Sequence, residues 1–154
     1  MKSAYINPFI EATVVTFKTM LGTTPKRNGE LRVKAGVFDV GQIVGVIGLT
    51  GTVKGAVMIS MNPETAMKSV GAFLGEEITE VNADVMDGIA ELLNIIAGAA
   101  AAKLEGQQVN LALPTVLTGT EQKMTGNESS PWIIIPMVTD DWGEFNIEVT
   151  MEEA

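Results

Sequence analysis

The 154-residue chain contains no cysteine and no histidine. Without cysteine it has no disulfide framework, no thiolate zinc site and no cysteine nucleophile. Without histidine it loses the usual general base, the Ser-His-Asp triad and every histidine-containing metal site. Basic residues are scarce as well: ten Lys and Arg face nineteen Asp and Glu, a net charge of −9. That balance argues against nucleic acid or an anionic membrane as partner and mildly favours a partner carrying positive charge. No long uninterrupted apolar run occurs, and the most apolar stretch, Ile95 to Ala102, is far too short to span a bilayer. The N-terminal MKSAYINPFIEATVV lacks the basic-then-apolar pattern of a signal peptide. The expectation is a soluble, cytoplasmic protein with one domain over 1–154.

What is present reads as alternating blocks of helix and strand. Asn7-Pro8 is expected to open the first helix as N-cap and first helical residue. Phe9, Ile10, Val14, Phe17 and Leu21 follow at helical spacing, and Gly22 supplies the stop. Thr23 to Glu30 reads as a solvated connector. LRVKAGVFDV from Leu31 alternates, and Gln42–Leu49 with Val53–Met61 reads as a hairpin. Gly45, Gly48 and Gly55 inside these strands point to bulges or to a helix packed close against them. Their spacing, with no Lys-Ser/Thr pair after them, does not match a phosphate-binding loop.

Asn62-Pro63-Glu64 caps a second helix that ends at Gly75, and Asn82 is the expected N-cap of a third, long one. Beyond it, Val109–Leu117 reads as a strand pair or a strand bent at Pro114, Thr118–Ser130 as a polar loop, and Trp132–Val138 as a buried strand. Glu144–Met151 alternates most cleanly, with Phe145, Ile147, Val149 and Met151 on one side. The fold expected is α+β: a largely antiparallel sheet packed against three helices, one of them long. Pro136 suggests an edge position for its strand, and a free edge invites pairing with a second copy, a homodimer.

The long helix, Asp84 to Leu104, carries the chemistry. Val85, Ile89, Leu92, Leu93, Ile96, Ala100 and Leu104 share one apolar arc. Glu91 lies opposite the middle of that arc, with Asp84, Asp87, Asn94 and Gly98 close to the same line. Asp84, and in part Asp87, are accounted for by the helix dipole, which favours acids in the first turns; Glu91 lies too far along for that. Gly88 and Gly98 flank the Glu91–Asn94 pair although each glycine costs a helix roughly 1 kcal/mol. Ile95 projects nearby and gives the pair an apolar neighbour. Three readings compete for the stripe: a solvated helix face, a divalent-metal site built from carboxylates, and a catalytic or docking pair. Carboxylates on an exposed helix make a poor hard-cation cage. An amide that positions a water beside a carboxylate that pairs with a partner's lysine needs neither His nor Cys.

The segment DGIAELLN, with Asp87, Glu91 and Asn94 at their spacing and Gly98 following, resembles the signature of the CheC/CheX/FliY group of chemotaxis phosphatases. The single copy of the motif and the chain length are most similar to the CheX branch. The NPF-led first helix, the VIGLTGTVKGAV hairpin, the PETA-led second helix and Leu113-Pro114-Thr115-Val116 with Gly119 extend the resemblance along nearly the whole chain. Leu93 stands where many relatives have a small residue, but it falls on the core side of the helix. The resemblance implies hydrolysis of the aspartyl phosphate of a CheY-like response regulator, with no cofactor of the chain's own. The regulator supplies Mg²⁺ and a lysine; Asn94 would orient the water, Glu91 would pair with that lysine, and Asp87, Gly88, Ile95 and Gly98 would form the docking surface. The alternatives are a domain of the same kind that binds a receiver domain without hydrolysing its phosphate, and a purely structural homodimeric module.

Overall fold

The computed structural model describes residues 3–154. Its first helix, α1 (Ser3–Thr16), begins one turn earlier than Asn7-Pro8 implied, and Pro8 lies inside it. The proline is tolerated because it sits near the start, where its missing N–H removes a single helical bond, and because its ring is buried beside Phe9. A wider helical turn, Phe17–Leu21, continues α1 to Gly22, which adopts the left-handed conformation expected of a stop.

The connector is not simply solvated. Its Lys26–Arg27 (β1) pairs with Val138 and Met137, and Thr23 and Pro25 are buried. The alternating stretch divides at Ala35 into β2 (Arg32–Lys34) and β3 (Gly36–Asp39). The expected hairpin of β4 (Ile43–Gly51) and β5 (Val53–Met61) forms, with a register from Ile43 opposite Met61 to Leu49 opposite Gly55. Helices α2 (Pro63–Leu74) and α3 (Ala83–Ala102) follow. Asn62 Oδ1 accepts the Thr65 N–H at 2.8 Å and Asn82 Oδ1 the Val85 N–H at 3.1 Å, so each asparagine satisfies one donor its helix would otherwise leave open.

Strands β6 (Val109–Leu111) and β7 (Thr115–Thr118), separated at Pro114, both pair with β4. The polar loop contains a further strand, β8 (Lys123–Gly126), before β9 (Trp132–Thr139) and β10 (Gly143–Glu153). The main sheet is antiparallel throughout, in the order β1-β9-β10-β5-β4-β6, with β2 also on β9 and β7 also on β4. Strand β9 is therefore not at the edge. Pro136 falls between the segments paired to β1 and β2, where its carbonyl accepts the Asn28 N–H at 2.8 Å. A residue's N and C=O point the same way in a strand, so the nitrogen with nothing to donate faces that gap.

The inner face of the sheet, including Ile47, Ile59, Ile135 and Ile147, packs against all three helices to form the main core. The closest approach is at Gly45 on β4, where an added Cβ would meet Ile59 Cγ2 and Leu93 Cδ2 at 3.2 Å and Ile89 Cγ2 at 3.3 Å. The bulk of Leu93 thus occupies space that Gly45 leaves open. On the outer face, Val44, Met58, Trp132 and Ile134 form a second cluster with Phe38 and Met124, which the separate β3–β8 ribbon contributes.

Candidate functional site on the outer side of the long helix

Helix α3 has the length and apolarity of a membrane span, but its apolar arc is spent on the core: Val85, Ile89, Leu92, Leu93, Ile96 and Ala100 are fully buried. The remaining side exposes Asp84, Asp87, Glu91 and Asn94 in one stripe. Neither the Glu91 carboxylate nor the Asn94 amide makes an ion pair or side-chain hydrogen bond among the described residues. Both are therefore available to a partner, one turn apart on a rigid element. The pair forms an exposed ridge along the helix. A cavity of about 700 Å³, lined by Arg32, Ser60 and Asn146, belongs to the opposite face of the sheet.

The other residues expected on the docking surface separate. Ile95 and Gly98 are half-buried and border the stripe. Gly98 has room for a side chain, since an added Cβ would meet only Leu111 Cδ1, at 3.8 Å. Gly88 does not belong to the surface. It is buried, and an added Cβ would lie 2.5 Å from Val70 Cγ1, so this glycine lets α2 cross α3 and has no part in admitting a partner. Among the described residues, no group of three Asp or Glu is placed to hold a metal ion.

One exposed apolar residue outside the helix was not among the site residues expected from the sequence. Leu113, at the bend between β6 and β7, is 90% exposed. The sequence marked it only as part of the Leu113-Pro114-Thr115-Val116 segment of the family resemblance, which says nothing of its exposure.

A protein-family model described as chemotaxis phosphatase CheX matches residues 43–138, from β4 through α3 to β9. The chain belongs to the CheX family. It is 33% identical over 127 residues to the CheY-P phosphatase CheX of Thermotoga maritima, across 80% of this chain and 81% of that one. Its fold matches that of a chemotaxis protein CheX from Desulfovibrio desulfuricans with a TM-score of 0.85 and 32% identity, covering 96% of this chain and 99% of the other. A CheX from Borrelia burgdorferi, solved as a CheX–CheY–BeF3–Mg complex, shares the fold with a TM-score of 0.82 and 24% identity, covering 97% and 98% of the two chains. The α+β reading and the resemblance drawn from DGIAELLN are both upheld, and the family's phosphatase chemistry must be sought on a surface without His or Cys.

Proposed function

We propose that this chain is a cytoplasmic phosphatase that hydrolyses the aspartyl phosphate of a CheY-like response regulator, with Glu91 and Asn94 as the residues it brings to the reaction. The observation that carries the assignment of residues is the unpartnered carboxylate and amide one turn apart on the exposed ridge of α3. The Asn94 amide accepts from a water and holds it in line with the phosphorus. The water oxygen bonds to phosphorus, the bond from phosphorus to the aspartyl oxygen breaks, and its electron pair returns to the regulator's carboxylate. Inorganic phosphate leaves as the dihydrogen anion, carrying both of the water's protons. Glu91 pairs with the regulator's lysine and sets the register of the helix in the cleft. Mg²⁺ would be held by the regulator, where it would supply charge neutralisation of the phosphoryl group. Phosphoryl transfer of this kind is governed by positioning and charge, so no nucleophile of the phosphatase is required.

The test is the decay of a phosphorylated CheY-type regulator in Mg²⁺, alone, with the wild-type chain, and with Glu91→Ala/Asn94→Ala. Acceleration by the wild type that the double variant loses is the expected result. Binding without acceleration would instead make the chain a receiver-domain binder.

We also propose that two copies associate through the outer edge of β2, so that the dimer carries two sites. Leu31, Val33 and Val37 are 37%, 64% and 67% exposed along β2 and β3, and β2 has an unpaired side beyond β9. Light scattering on the wild type and on Val33→Glu should show a dimer that the variant shifts toward monomer.

A further inference from the structure

The bend between β6 and β7 holds a leucine out in solvent. Gly48 lies opposite Ala112, whose N–H donates to the Gly48 carbonyl at 2.9 Å, and Val46 lies opposite Thr115. One residue of β4, Ile47, therefore faces two residues of its neighbour, Leu113 and Pro114. That is a β-bulge, a device that re-aims a side chain. Pro114 makes it inexpensive, because proline has no N–H to remove from the ladder. It also restricts Leu113 to extended backbone, so the direction in which the leucine leaves the chain is narrowed before anything binds it.

Register places this leucine along α3. Gly98 of α3 lies against Leu111, and Ile89 and Leu93 of α3 lie over Gly45, which pairs with Val116. The β6–β7 edge thus runs antiparallel to the helix. Two strand residues advance about 6.6 Å, the length of about four helical residues, so moving from Leu111 to Leu113 moves from Gly98 to Asn94. The flank of α3 that carries Gly98 also carries Asn94 one turn earlier. Single exposed apolar residues are common on protein surfaces, but this one sits on a bulge before a proline, is 90% exposed and by register falls level with Asn94 along the helix axis.

We propose that Leu113 is a docking residue for the regulator: it seats in an apolar spot of the receiver domain beside the aspartyl phosphate and aligns Asn94 with the phosphorus. This rests on the phosphatase reading above. The occupant is the receiver domain because Leu113 is continuous with the surface that must enter it; a second copy of this chain is the alternative that the experiment separates.

The experiment measures phospho-regulator hydrolysis by the wild type, Leu113→Ser, and Leu117→Ser as a matched control. Leu117 is 47% exposed in the same edge but opposite Val44, whose side chain belongs to the outer cluster. For Leu113→Ser the expected result is a KM raised about tenfold, the size of a moderate interface contact, with kcat and thermal midpoint retained. Leu117→Ser should leave KM unchanged. An unchanged KM for Leu113→Ser, an equal rise in both variants, or an altered oligomeric state in place of altered KM would each overturn the proposal. Failure of the wild type to accelerate decay would overturn the phosphatase reading itself, and binding measured on the same three proteins would then decide whether Leu113 docks the regulator.

Discussion

Gly88 of α3 meets Val70 of α2 so closely that an added Cβ would lie 2.5 Å from Val70 Cγ1 and 2.8 Å from Val70 Cγ2. The α2–α3 crossing therefore depends on the absence of a side chain at this position. Gly88→Ala gains about 1 kcal/mol of helix propensity but forces the two helices apart, at a cost of about 1–3 kcal/mol for overpacking. The expected net result is a lower thermal midpoint, with any loss of activity following the loss of stability. Denaturant titration beside the hydrolysis assay checks it, and an equally stable Gly88→Ala would contradict the packing argument.

Gly98 is expected to behave in the opposite way. With 3.8 Å to Leu111 Cδ1, Gly98→Ala should keep or raise stability by up to about 1 kcal/mol. Gly98→Phe should fold as well but impair the regulator's access to the ridge, raising KM. A phenylalanine variant with full activity and unaltered binding would show that the bare backbone at this position serves no partner.

The two polar residues of the ridge should separate kinetically. Asn94→Ala is expected to lower kcat about 100-fold, the scale of a misplaced reacting group, with little change in KM. Glu91→Ala is expected to raise KM and weaken its dependence on salt, because it removes a charge pair at the interface. The converse pattern would exchange the roles assigned to them.

Glu148 on β10 predicts a pH dependence unrelated to catalysis. It is 2% exposed, lies opposite Met58 and Ile134 of the outer cluster, and its Oε2 has no hydrogen-bond partner. Burial raises its pKa to about 7 from an ordinary 4.5, against the opposing pull of the Arg32 guanidinium. Below pH 4.5 the carboxyl is neutral in both folded and unfolded chains, so its contribution is at its most favourable. As pH rises through about 7 the unfolded chain gains the advantage of an ionised, solvated carboxylate, and about 3 kcal/mol of stability is lost. Melting curves between pH 5 and 8.5 should fall for the wild type and be flatter for Glu148→Gln; parallel slopes would exclude Glu148 as their source.

Much of this molecule is local in origin. The Asn62-Pro63 and Asn82 starts, the Gly22 and Gly75 stops, the β4–β5 hairpin and the alternation of β10 follow from short-range rules, and each lies where those rules put it. The apolar arc of α3 likewise exposes Glu91 and Asn94 by period alone. Local signals failed where two were superimposed or where partners were distant. Asn7-Pro8 has the form of a helix start, yet Ile6 also had apolar surface to bury, and the helix extended upstream. Strands β1 and β8 are two and four residues long, too short to carry a pattern, and they exist only because β9 and β3 offer them unpaired edges.

The sequence by itself determined the α+β class, the helix caps, the polar stripe and, through DGIAELLN, the family. Only the tertiary structure decided what each unusual residue is for, because a glycine or a leucine has the same local chemistry whatever it touches. It assigned Gly88 to the contact with Val70, left Gly98 beside the stripe with room for a side chain, buried Glu148 on a face whose alternation reads as polar, and left Leu113 exposed at the bend between β6 and β7. Those assignments depend on how helices and strands far apart in the chain approach one another, and no local period encodes that distance.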